Sequence, residues 1–178
     1  MSEPVVVLLK SDACHHCKNL TAIWDKVTLS LKEVNPRVRF FTVTLKDNNA
    51  SIDTNTTPKG LIRYTKWYPM ILLVPGKLWD EAMSKLGPSN PVELKDGVQV
   101  LNANWEGSEL KYAQKWDIRK PEEFGKWLKD SMEKEDFKSA SNAQAIPNIF
   151  KSSVPFVGAK STAPNSGICS MKIISRPK

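Results

Sequence analysis

The sequence predicts an α/β protein: a mixed sheet of about four strands with helices packed on it, followed by an extended C-terminal arm. Three observations carry that prediction. Short apolar, β-branched runs such as VVVLLK (5–10) and MILLV (70–74) lack polar alternation, so they read as strands covered on both faces. An amphipathic helical stretch separates the first two strands, which makes a β-α-β unit and implies a parallel pair with a right-handed crossover. After Asp136 the composition changes to Ser, Ala, Asn and Pro, with no acidic residue.

The elements follow in order. VVVLLK is the first strand. In KNLTAIWDKVTLSLKEV (18–34), Leu20, Ile23, Trp24, Val27, Leu31 and Val34 recur at three- and four-residue steps, the period of a helix with one apolar face. That helix ends at Asn35-Pro36, because the residue before a proline is driven out of the α region. RVRFFTVTL (37–45) is β-branched and aromatic, a second strand. KDNNASIDTNTTPKG (46–60) is polar and reads as a surface loop, with room for a short helical turn. Met70 to Val74 is the third strand, entered through Tyr68-Pro69 and closed by Pro75-Gly76. LWDEAMSKL (78–86) is a short helix stopped by Gly87-Pro88. VQVLNANW (98–105) is a fourth strand after an Asp-Gly turn. KPEEFGKWLKDSMEKE (120–135) opens with proline and two glutamates, as a first helical turn should, and Phe124, Trp127, Leu128 and Met132 form its stripe.

The chain has 178 residues, enough for one domain and a tail. Forty per cent apolar residues and six tryptophans support a real core. No apolar run approaches the ~20 residues of a membrane helix. The N-terminal apolar run is short and follows a glutamate, where a signal peptide carries positive charge. The expected location is therefore cytoplasmic.

The net charge of +7 is unevenly placed. Of 26 basic residues, six (Lys138, Lys151, Lys160, Lys172, Arg176 and Lys178) lie beyond Asp136, so residues 1–136 hold 20 basic against all 19 acidic residues. A nearly neutral body argues against a nucleic-acid-binding domain, and the tail lacks the arginine clusters and interleaved aromatics of one. The predicted division is a domain at 1–136, with an insertion at about 75–97, and a basic tail at 137–178. That tail carries small apolar clusters, among them Ile146, Ile149, Phe150, Ile168, Ile173 and Ile174. It is either an unstructured solvated tail or an arm that docks on a partner or on its own domain.

The stretch DACHHCK (12–18) holds two of the three cysteines and both histidines of the chain. An odd, small cysteine count excludes a disulfide framework. In a reducing compartment a close pair points to catalysis or to metal. Zinc is disfavoured. Four adjacent Cys-His-His-Cys side chains cannot converge on one tetrahedral ion, and only Cys169 remains as a further thiol. No metal and no cofactor are expected, and Cys169 reads as a free thiol.

A buried strand, a CxxC, an amphipathic helix, a second strand and a strand entered through X-Pro together resemble the thioredoxin-like superfamily. The likeness runs over roughly residues 4–135 and rests on VVVLLKSDACHHCK and WYPMILLV. It implies a three-layer fold around the mixed sheet, a cis bond at Tyr68-Pro69 opposite the cysteines, and substrate peptide lying against Tyr68 and Pro69. It implies thiol–disulfide exchange with protein thiols and disulfides as substrates. At a helix N-terminus, Cys14 meets unpaired amides and the positive end of the dipole, and both favour a thiolate. Cys14 is the expected nucleophile, and Cys17, one turn on and more buried, resolves the mixed disulfide. His15 and His16 are expected to tune the thiol pKa: protonated, they stabilise the reduced pair and make its disulfide more oxidising. The alternative is that both rings face solvent. Family members with histidine between the cysteines tend to oxidise or isomerise.

Two departures matter. Ala13 stands where thioredoxins carry an aromatic residue, and Leu8 stands where they bury a proton-accepting acid. Both argue against general reductase activity. The leading reading is an oxidising or isomerising thiol–disulfide oxidoreductase. The other is a structural or interaction module anchored by its C-terminal arm in a larger assembly, by analogy the capsid of a large cytoplasmic virus.

Overall fold

The computed structural model describes residues 2–45, 52–87 and 92–142. Strand β1 (Val5–Ser11) leads into helix α1 (His15–Val34) and strand β2 (Arg39–Leu45). A 3₁₀ helix (Lys59–Tyr64) precedes β3 (Met70–Val74) and helix α2 (Gly76–Ser84). Then come β4 (Gln99–Val100), a hairpin of β5 (Ala103–Glu106) and β6 (Glu109–Tyr112), and helices α3 (Pro121–Met132) and α4 (Glu135–Asn142). The fold is α/β with a mixed four-stranded sheet, as the sequence predicts. Its order is β2-β1-β3-β4, with β5 and β6 forming a separate two-stranded sheet.

β1 pairs parallel with β2, Val5 opposite Arg39, and antiparallel with β3, Val5 opposite Val74. The unbroken apolar run of β1 is explained by its central place. Val5, Val7 and Leu9 face a cluster with Leu61, Tyr64, Met70, Leu72 and Trp79. Val6 and Leu8 face the opposite cluster with Leu20, Trp24, Phe124 and Leu128. Helices α1 and α3 therefore cover one face, while α2 and the 3₁₀ helix cover the other. The alternation of β side chains sorts consecutive apolar residues between two cores.

Three expectations need correction. The strand predicted over 98–105 is interrupted after Val100. Asn102 adopts a left-handed backbone (φ 54°), and its side chain is committed to three hydrogen bonds at 115–116. The chain leaves the sheet there and turns into the β5–β6 hairpin, whose second strand the sequence did not indicate. The helix predicted over 78–86 starts at Gly76, directly after Pro75, and ends at Ser84. Finally, the body does not stop at residue 136. α4 runs through that boundary to Asn142, and the compact unit spans Met1–Gln144.

What fixes α4 is visible on β4. The Gln99 side chain donates to Asp136 Oδ2 at 2.8 Å and accepts from Lys134 Nζ at 2.7 Å. Phe137 is 3% exposed, packed in the α1/α3 core. Gly97, at φ 79°, lets the strand pass so close that a Cβ there would lie 2.5 Å from that of Ala140. The rest of the predicted tail, including Cys169, lies outside the described residues, as do residues 46–51 of the predicted loop. No helix among the described residues is long and apolar enough to cross a membrane.

Candidate functional site

The end of β1 and the start of α1 place the cysteines. Cys14 is the N-cap of α1, with an extended backbone (φ −88°, ψ 115°). Its amide donates to Ser11 O at 3.1 Å, which fixes the entry to the helix. Its sulfur does what an Asp or Ser does at an N-cap: it accepts the backbone N–H of Cys17 at 3.1 Å. The helix thus begins with a sulfur aimed at its own unpaired amides. Cys14 is half-buried and Cys17 is 2% exposed.

The peptide bond Tyr68-Pro69 is cis. The carbonyl of Tyr68 faces Cys14, which donates to it at 3.6 Å. Cys14 and Tyr68, far apart in sequence, are therefore in contact, with the cis bond directly after Tyr68.

Cys17 is in a harder environment. Burial pushes its thiol up to about 12, and the hydrogen bond to Cys14 adds to this. A hydrogen bond to the Ser11 backbone and the charge of Lys10 work the other way, with less effect. Leu8, on the strand that leads to the motif, is buried in the α1/α3 core. Burial also raises the Tyr68 phenol, and the two thiols reinforce the shift. Thr65 approaches that phenol, but its own hydroxyl donates to Ile62 O at 2.7 Å, and the Tyr68 oxygen lacks a well-formed hydrogen bond among the described residues.

The histidines stand apart from the sulfurs. Both are exposed, and their rings meet edge to face at 6.1 Å. His15 Nε2 lies 3.5 Å from Asn19 Nδ2, and among the described residues neither ring hydrogen-bonds Cys14. His16 instead lines a cleft.

That cleft, about 400 Å³, contains site residues the sequence did not indicate. His16, Tyr68 and Pro69 form one side; Trp67, Tyr112 and Trp116 add aromatic rings. Trp67 and Tyr112 meet edge to face at 5.9 Å, with Tyr112 59% exposed. Asn102 positions Trp116 through its bonds to the Trp116 backbone N–H (2.8 Å) and carbonyl (2.8 Å). Trp67 adjoins the prolyl turn and was within reach of the motif. Tyr112 and Trp116 depend on the hairpin, which the sequence concealed.

Among the described residues, no three His, Cys, Asp or Glu side chains are grouped to hold a metal ion. Comparison with protein-family models, with characterised proteins and with solved structures gives no match.

Proposed function

We propose that this chain is a thioredoxin-like thiol–disulfide oxidoreductase acting on protein cysteines, with Cys14 as the attacking sulfur and disulfide isomerisation as its main reaction. One observation carries the reading. The half-buried Cys14 caps α1, its sulfur bound by the Cys17 amide and 3.6 Å from the carbonyl beside the cis Tyr68-Pro69 bond. An extended substrate segment lying against that backbone would present its own sulfur to Cys14.

The chemistry follows from the two environments. The Cys14 thiolate attacks one sulfur of a substrate disulfide. A Cys14–substrate bond forms, the substrate S–S bond breaks, and a substrate thiolate is released. In isomerisation, another substrate thiolate attacks the substrate sulfur of this mixed disulfide. A new substrate disulfide forms and Cys14 leaves as thiolate, with no net electron transfer. Resolution by Cys17 competes with this step, but requires a proton to leave a thiol held near about 12. At pH 7 burial keeps this thiol protonated. Burial, the larger cause, persists in the mixed disulfide. Oxidation by a Cys14–Cys17 disulfide needs Cys17 to leave as a high-pKa thiolate, which is slow for the same reason. The oxidising branch is therefore the slower one.

The test is recovery of a substrate protein with scrambled disulfides. The wild type should accelerate it and Cys14→Ser should not. Cys17→Ser should retain most of the acceleration while accumulating mixed disulfide. If Cys14→Ser performs like the wild type, the reading fails.

A further inference from the structure

A separate cavity of about 500 Å³ shares no lining residue with the cleft beside Cys14. Four cations face it: Lys59, Arg63, Lys66 and Lys95. The opposing charge on its wall is Glu93, with Asp96 beyond Arg63 in the adjoining cavity. Residues 1–136 hold 20 basic and 19 acidic residues, so this concentration is local rather than a share of general basicity. Some Lys and Arg side chains of the body are held by carboxylates, as Arg39 is by Asp80, Lys85 by Glu81 and Lys120 by Glu123. Among the described residues, none of these four is.

The cavity is built, not incidental. The 3₁₀ helix approaches the 92–94 segment so closely that a Cβ on Gly60 would lie 2.5 Å from Val92 O. Tyr64 Oη locks the same two segments by donating to Leu94 O at 2.6 Å. That packing brings Lys59, Arg63 and Lys66 from one side to Lys95 on the other. Arg63 is oriented by a ring rather than by an acid. Its guanidinium sits 5.0 Å from the Trp105 ring centre, and its Nε is buried without a partner. A half-buried arginine fixed in this way keeps its outer N–H groups for a ligand and loses little freedom on binding.

We propose that this cavity binds a phosphate-bearing small molecule carrying at least two negative charges, with Arg63 as the fixed anchor and Lys59, Lys66 and Lys95 as surrounding charge. The volume suits a small molecule. A cation array of this density favours an oxyanion over a single carboxylate. The assignment does not depend on the thiol chemistry, and the two fail separately.

The experiment is calorimetric titration of the full chain with inorganic pyrophosphate at constant ionic strength, with ADP and a glutamate-rich peptide as further probes. Saturable one-to-one binding of pyrophosphate is expected. Arg63→Gln should weaken it at least tenfold. Lys59→Gln with Lys66→Gln, both exposed and harmless to folding, should weaken it about threefold to tenfold. ADP binding tighter than pyrophosphate identifies a nucleotide as the ligand form, and equal binding identifies the phosphate group alone. Both support the site. No saturation by millimolar pyrophosphate, unchanged affinity in the lysine double variant, or tighter binding of the acidic peptide would overturn it.

Discussion

At the scale of residues, the site divides two chemically identical side chains by their surroundings. Cys14 borrows the amides that open a helix; Cys17 sits one turn later, where burial favours the neutral thiol. Burial holds the Cys17 thiol protonated through mildly alkaline pH, where an ordinary cysteine ionises. Brief iodoacetamide treatment of the folded protein at pH 8 should therefore alkylate Cys14 and leave Cys17 unmodified. In denaturant both should react. Peptide mass spectrometry distinguishes the outcomes, and equal labelling of both cysteines in the folded state would contradict the assigned environments. The sign for stability follows from the same shift. The folded chain holds this proton more tightly than the unfolded chain, so the stabilisation is complete below about 9 and is lost as pH rises towards about 12. Cys14, Cys17 and Pro69 were legible in the sequence because spacing and proline chemistry are local signals. The aromatic cleft was not, because Trp67, Tyr112 and Trp116 become neighbours only through the fold.

Among the elements, those whose burial is extreme were the easiest to read. β1 and β3 are covered on both faces and show it as continuous apolar runs, and α1 shows its one-sided burial as a stripe. The β4–β6 region was misread for a stated reason. VQVLNANW has the composition of one strand, yet Asn102 takes a left-handed backbone and spends its amide on residues 115 and 116. Composition does not reveal a bond to a distant backbone. This makes Asn102 a test of what ends the strand. Glycine suits positive φ, so Asn102→Gly removes only the side-chain bonds and should cost about 2 kcal/mol, from three bonds of roughly 0.5–1.5 kcal/mol each with partial rehydration. Asn102→Ala removes the same bonds and adds backbone strain of about 1 kcal/mol. Urea unfolding should rank wild type above Gly above Ala. If alanine equals glycine, the left-handed turn is not what the side chain supports. Both variants should also slow the exchange reaction on large substrates, since Trp116 is held in the cleft by the same side chain.

For the molecule as a whole, the decisive question is where the folded body ends. The sequence places that boundary at Asp136 because acids stop there, which is a statement about charge. Folding depends instead on buried area and satisfied polar groups. EDFKSASN looks like the start of a solvated tail, but its one large apolar residue, Phe137, is fully committed to the α1/α3 core. Lys134 and Asp136 satisfy the buried Gln99 amide from either end, and Ala140 closes over Gly97. A chain ending at residue 136 keeps the Gln99 partners in sequence but loses Phe137 and most of the helix that orients them. A chain ending at residue 144 keeps all of α4. Loss of a fully buried phenyl ring alone costs about 3–5 kcal/mol. The shorter chain should therefore be less stable than the longer by at least about 3 kcal/mol, with a urea midpoint displaced accordingly. Phe137→Ala in the longer chain should reproduce most of the difference. Equal midpoints for the two truncations would show that α4 contributes nothing to the core, and the boundary would return to 136.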